Sequence, residues 1–235
     1  MIGKAYVDTV RLLLEIAPFV FEVPDFALKG GTAINLFVRD MPRLSVDIDI
    51  VYTDFHRSRK HALTAIQRAL EQISMQLSKR GLNVQTPTEG VGEESKLFIR
   101  RGTSMVKVEV NYIFRGTVLD VGSASLVDHA QDLFEQEITL PALSTHELYG
   151  SKLVAAMDRQ HPRDLFDVHG MYRASGLTEE TVDCFVCYLA GHNRPVHEVL
   201  YGNQQDISSA YENEFKGMAF DEIDLDDLLV TRERL

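Results

Sequence analysis

Two aspartates at alternate positions of an apolar run, Asp47 and Asp49 in Val46-Asp47-Ile48-Asp49-Ile50-Val51, are the residues of this sequence best suited to chemistry. With Val46, Ile48 and Ile50 on one side and Asp47, Asp49 and Val51 on the other, the pattern has the period of two that marks a strand, so both carboxylates leave the same face. Two anions this close repel each other unless a cation sits between them. Hard oxygen donors of this kind suit Mg²⁺, commonly held by one or two carboxylates together with substrate phosphates, and Mn²⁺ takes the same donors. Upstream, Lys29-Gly30-Gly31-Thr32 follows the apolar Phe26-Ala27-Leu28 and reads as strand, tight turn and helix start. Glycine at such a turn lets backbone approach a phosphate closely and aims amide groups at it. Each feature has a simpler reading alone: a Gly-Gly pair is a plain turn, and Asp-x-Asp is a solvated strand face or an edge-strand device. Their order, with a short apolar helix between them, favours a joint site.

A third acid stands further along. In Val106-Lys107-Val108-Glu109-Val110-Asn111, the valines share one face while Lys107, Glu109 and Asn111 share the other. Two readings of that polar line stay open. It is the outer face of an exposed strand, or Glu109 supplies another oxygen to the metal site.

These side chains need elements to hold them. Lys4 to Phe21 carries Val7, Val10, Leu13, Leu14 and Phe19 near helical spacing and predicts a core-facing helix. A short strand at Phe26 to Leu28 leads into a helix over Thr32 to Val38, broken by Asp40-Met41-Pro42. Ser45 to Tyr52 is the carboxylate strand. Arg57 to Arg80 is a long helix with Leu63, Ile66, Leu70, Ile73 and Leu77 on its stripe, closed by Gly81. Strands follow at Asn83 to Thr86, Lys96 to Arg101 and Met105 to Phe114, the last two joined by the turn Gly102-Thr103-Ser104, with a further short strand at Glu137 to Leu140 ended by Pro141. From Ser144, which forms a capping box with Glu147, the character is helical to the end, apart from an irregular polar stretch over Gly191 to Gln205. Pro162 fits the first turn of the helix that carries Arg163 to Val168. The expectation is an α+β chain in two parts: a core over residues 1–142, with a mixed β-sheet flanked by helices, and a C-terminal helical region over residues 143–235. The last helix has neither cap nor stop, so the chain is expected to be truncated at that end.

The glycine turn and the Asp-x-Asp strand together resemble the signature of the polymerase-beta-like nucleotidyltransferase superfamily. More narrowly, Gly30-Gly31-Thr32-Ala33 with Arg43-x-Ser45-x-Asp47-x-Asp49 resembles the AbiEii-type nucleotidyltransferase toxins of type IV bacterial toxin–antitoxin systems, over roughly Gly30 to Val168. Glu109-Val110-Asn111-Tyr112 with Arg115-Gly116, and the pattern from Ser151-Lys152-Leu153 to Arg163-Asp164-Leu165-Phe166-Asp167, are similar to further motifs of that family. The resemblance implies a nucleotidyltransferase core, an NTP substrate with release of pyrophosphate, an RNA acceptor such as the tRNA acceptor end, and a cognate antitoxin encoded nearby. It also implies roles. Asp47, Asp49 and Glu109 would be the metal ligands, Glu109 standing where the superfamily commonly has Asp. Gly30, Gly31, Thr32, Arg43, Ser45 and Lys107 would meet the nucleotide. Lys152, with Asp164 and Asp167, is associated with activity. Lys152 would act as a point charge on the triphosphate, while an ion-pair network among Lys152, Arg159, Asp164 and Asp167 is the structural alternative. Other readings are a protein-modifying nucleotidyltransferase, a glycosyltransferase using Asp-x-Asp with a metal and a sugar nucleotide, and a non-catalytic nucleotide-binding module.

Bulk properties narrow the setting. At 235 residues with 45% hydrophobic content the chain can bury a substantial core. No apolar run approaches membrane-spanning length, the first residues lack a signal-peptide pattern, and the expectation is a cytoplasmic protein. The two cysteines, Cys184 and Cys187, have neither a second pair for a zinc site nor polar surroundings, so both read as buried thiols. A net charge of −11 excludes a surface that is basic throughout, so any nucleic acid must meet a local patch. The basic cluster Arg57, Arg59, Lys60 and His61 is either a solvated helix start or such a patch.

Overall fold

The computed structural model describes residues 2–87, 95–111 and 114–235. The stretch that carries the carboxylates, β2 (Asp47–Tyr52), runs through the middle of a seven-stranded mixed sheet. Its neighbours are β1 (Phe26–Lys29), antiparallel, and β5 (Ser104–Asn111), parallel. Beyond β5 lie β4 (Lys96–Arg101) and then β3 (Asn83–Gln85), both antiparallel. Beyond β1 lie β7 (Thr139–Ala142), parallel, and β6 (Gly122–Ser125). The architecture is α+β, as expected, with helices following the sheet toward the C terminus.

Alternation decides which face is which. Ile48, Ile50, Val106, Val108 and Val110 are fully buried, and α1 (Lys4–Val20) packs on β5 and β2 while α3 (Arg59–Lys79) packs on α1, β3 and β4. Helix α1 presents Val10, Leu13, Leu14 and Ala17 inward, at the i, i+3, i+4, i+7 spacing of a core-facing stripe. The opposite face carries Asp47, Asp49, Lys107 and Glu109. It is approached by α2 (Gly30–Ala33), which runs directly into a π-helical turn at Ile34–Val38, and by α5 (Thr145–Arg159) and α6 (Pro162–Ala174), both of which touch α2. A further helix, α7 (Glu179–Ala190), packs along α5, and α10 (Leu225–Glu233) along α6. One buried apolar cluster extends from Val10 to Leu228, through both parts of the chain.

Several local expectations need correcting. The strand expected at Glu137 to Leu140 runs over Thr139–Ala142 and includes Pro141. Its pairing with β1 is confined to Leu28↔Ala142, which tolerates the missing proline N–H. The polar residues of β6 and the short α4 (Asp128–Phe134) lacked periodicity long enough to predict them. Within the stretch read as irregular lies a one-turn helix, α8 (Val196–Leu200). After it, the chain expected to be helical holds only the short α9 (Ser208–Ala210) and a π turn at Tyr211–Phe215 before α10. Cys184 is buried but Cys187 is exposed, because the inward stripe of α7 runs through Thr181, Cys184 and Tyr188 and leaves Cys187 beside it. The extension of β5 through Tyr112 and Ile113, and with it part of the motif that begins at Glu109, lies outside the described residues.

Candidate active site

The glycine turn and the carboxylate strand are in direct contact. Lys29 at the end of β1 is opposite Asp49 in the antiparallel register, so Gly30 starts α2 beside that aspartate. Gly30 has φ +74°, a conformation an L side chain rarely adopts, and a Cβ there would lie 2.3 Å from Asp49 Oδ2. Glycine is required twice over at this position. The next glycine serves a different contact: a Cβ at Gly31 would lie 2.7 Å from Arg43 Nη2 and 3.2 Å from Ser45 Oγ. The Thr32 hydroxyl is 2.9 Å from the Ser45 hydroxyl and also hydrogen-bonds the Asp47 carbonyl, tying the first turn of α2 to the entry of β2.

Across the sheet, Asp49 is in register with Glu109 and Asp47 with Lys107. These directly opposed pairs bring the expected site residues onto one face. The Lys107 ammonium binds the Glu109 carboxylate at 2.8 Å, and Lys96 lies 3.9 Å from it on the far side. Burial works against the charge on Lys107, but the Glu109 hydrogen bond and the nearby Asp47 and Asp49 outweigh it and its pKa rises. Asp47 is also shifted upward, by burial first; Lys107 opposes this, while the charges of Asp49 and Glu109 add to it. An acid pushed toward its neutral form by burial and by a second acid is one that a cation would relieve. Asp47 and Asp49, with the side chain of residue 30 absent beside them, therefore fit a hard divalent ion. Among the described residues no three His, Cys, Asp or Glu side chains are gathered as a ready-made metal site, and Glu109 is held by Lys107.

Lys152, Asp164 and Asp167 lie together, in a buried ion network. Asp167 accepts two hydrogen bonds from the Arg43 guanidinium, from Nε at 2.8 Å and Nη2 at 2.6 Å, and lies 3.0 Å from Lys152 Nζ. Lys152 Nζ also donates to Asp164 at 2.9 Å, and Arg159 reaches Asp164 from the rim at 2.9 Å. Arg43 is 2% exposed and Lys152 6%. Burial raises the pKa of both aspartates, but the surrounding cations win: Asp164 is held down to about 2 and Asp167 is also lowered. The network reaches the glycine turn through Arg43, which covers Gly31, and through Asn35, whose amide nitrogen donates to the Gly31 carbonyl and to Asp167, both at 2.9 Å. The expectation that Lys152 is open to a triphosphate therefore meets a lysine already engaged by two carboxylates.

Three residues went unremarked as site members. Asn35 could have been noticed as the lone polar residue in Ala33-Ile34-Asn35-Leu36-Phe37, one turn after Gly31. Lys29 is half-buried on the same face as Asp49, with Nζ 5.2 Å from the centre of the Tyr188 ring. Burial lowers its pKa, against the pull of Asp49 and Glu147. Its position just before the two glycines was the available signal. Glu147 is fully buried and accepts from the Val118 and Leu119 amides at 2.9 and 3.0 Å and from the Tyr188 hydroxyl at 2.9 Å. Its amide is capped by Ser144 at 3.2 Å, so the predicted capping box contributes one bond while the carboxylate is used elsewhere.

Against known proteins, the family model described as nucleotidyl transferase AbiEii toxin, type IV toxin–antitoxin system, matches residues 11–232. No curated protein matches the sequence. Among solved structures, MenT4, nucleotidyltransferase toxin Rv2826c from Mycobacterium tuberculosis H37Rv, superposes with a TM-score of 0.67 at 15% identity, covering 95% of this chain and 82% of that one. That likeness is one of fold.

Proposed function

The chain belongs to the AbiEii nucleotidyl transferase toxin family of type IV toxin–antitoxin systems, and on that premise we propose that it is a Mg²⁺-dependent enzyme moving a nucleotide from an NTP to the end of an RNA, with tRNA the favoured acceptor. The acceptor hydroxyl oxygen forms a bond to the α-phosphorus, the bond from that phosphorus to the β-phosphate oxygen breaks, and pyrophosphate leaves. The observation that carries the reading is the contact between turn and strand, so close that a Cβ at Gly30 would lie 2.3 Å from Asp49 Oδ2. A phosphate approaching the bare backbone at Gly30 arrives beside Asp49, with Asp47 two residues away on the same strand face.

Asp47 and Asp49 would hold the metal. Mg²⁺, or Mn²⁺ in its stead, bound there supplies Lewis-acid charge to the phosphate oxygens. Glu109 becomes a third oxygen donor only by leaving Lys107; paired as it is, it keeps that ammonium beside Asp47, where Lys107 serves the nucleotide. Gly31, Thr32 and Ser45 form the phosphate-facing turn. We assign Arg43, Lys152, Asp164 and Asp167 to holding that turn rather than to binding the triphosphate, because their charges are already mutually satisfied. In this division, residues 1–142 present the reacting groups and residues 143–235 brace them. The setting is the cytoplasm, with an antitoxin as the countering partner.

The test is incubation with each α-labelled NTP, Mg²⁺ and total RNA. Label in RNA, lost in Asp49→Ala, is expected. Label in protein would indicate the protein-modifying alternative, and label in neither would reject transfer.

A further inference from the structure

We propose that Lys29 is a phosphate-binding residue of this site, contacting the triphosphate of the bound nucleotide across the Gly30 turn. The inference rests on the nucleotidyltransferase reading and gives Lys29 the triphosphate contact that the family resemblance implied for Lys152. Directly opposed residues of an antiparallel pair project to the same side. The register Lys29↔Asp49, Asp49↔Glu109 and Glu109↔Lys96 therefore makes one row across β1, β2, β5 and β4, with a lysine at each end and the two acids between. The lysines of this face differ in what they touch. Lys107 is 2.8 Å from Glu109, Lys96 is 3.9 Å from it, and Lys152 is engaged by Asp164 and Asp167 at 2.9 and 3.0 Å. Lys29 makes no ion pair among the described residues. Its ammonium instead lies over the ring of Tyr188, whose hydroxyl is fixed by the buried Glu147 and whose ring stacks on Phe114 with centroids 4.1 Å apart.

Asp49 and Glu147 act on this half-buried ammonium, but neither pairs with it as a salt bridge. A desolvated cation with no direct counter-ion is costly unless an anion arrives to meet it. Lys29 is also the residue immediately before Gly30, so its backbone is part of the turn that would receive the phosphates. The Tyr188 ring restrains the side chain without neutralising it, since a ring face attracts a cation but carries no charge. The geometry is that of a preset cation awaiting an anion, on the opposite side of Asp49 from Lys107.

The experiment measures equilibrium binding of a non-hydrolysable ATP analogue, and separately of inorganic pyrophosphate and of adenosine. It compares the parent protein with Lys29→Gln and Lys29→Arg, alongside steady-state transfer and thermal melting. Loss of a charge-assisted contact predicts that Lys29→Gln weakens triphosphate and pyrophosphate binding about 10- to 100-fold while leaving adenosine binding within about 2-fold. Lys29→Arg should recover most of that loss, and both variants should melt near the parent. Unchanged triphosphate affinity in Lys29→Gln overturns the proposal even if transfer falls, because the lysine would then act only on architecture. Equal weakening for adenosine, or no recovery in Lys29→Arg with its fold intact, also overturns it. If the parent binds no nucleotide, both this inference and the enzyme reading fail. If the parent binds and transfers but Lys29→Gln binds equally well, this one alone fails.

Discussion

Replacing Asp167 with alanine tests the buried network most directly. The substitution removes the acid shared by Arg43 and Lys152, which are 2% and 6% exposed and cannot turn to water without opening α6 from α2. Breaking a buried pair by deleting one partner typically costs about 3–5 kcal/mol, because the surviving charge stays desolvated. For a chain of this size each kcal/mol moves the melting temperature by about 2–4 °C, so the expected fall is roughly 6–20 °C. The pH profile provides an independent check. Asp164, held down to about 2 from an ordinary 3.8, and Asp167, also lowered, bind protons less readily folded than unfolded. Their stabilisation is therefore complete above the unfolded value and disappears as pH falls from about 4 toward 2. Melting followed by calorimetry in metal-free buffer should show the parent losing stability steeply over that window and Asp167→Ala less steeply. The double variant Arg43→Met/Asp167→Leu should be more stable than Asp167→Ala, since neither charge is left without the other. A melting temperature for Asp167→Ala within about 2 °C of the parent, less than the shift expected for 1 kcal/mol, would refute the assignment of a shared buried acid.

Three further outcomes are expected. Gly30→Ala should abolish nucleotide transfer, since its Cβ would enter Asp49 and its φ is in the left-handed region; activity without measurable loss would mean the turn does not sit against the acid. Asp49→Asn should lose Mn²⁺ binding, read by paramagnetic resonance, yet melt no lower than the parent in chelator, because removing one anion relieves Asp47. Glu147→Ala should lower stability by about 2–5 kcal/mol in calorimetry, as the Val118 and Leu119 amides and the Tyr188 hydroxyl lose their acceptor.

What could be read from the chain alone was what depends on neighbours in sequence. The alternation around Asp47 and Asp49 determines a strand with both acids on one side, and the glycines before an apolar helix determine a tight turn, because backbone geometry is local. The glycine turn, with Arg43, Ser45 and the two acids, was also enough to suggest the family that the match over residues 11–232 bears out. Periodicity states which face a side chain leaves from, but not what lies across from it. Arg43 and Asp167 are 124 positions apart, and only the docking of α6 beside α2 makes them a pair. That packing decides that Lys152 is bridged to two acids while Lys29, opposite Asp49, lies over the Tyr188 ring with no salt bridge among the described residues, a distinction no spacing rule contains. It also turned Glu147 from a helix cap into the acceptor for two distant amides and a tyrosine. Charge type and local shape are written residue by residue; which charges are already neutralised is a property of packing, because Coulomb attraction and desolvation depend on distance in space rather than along the chain.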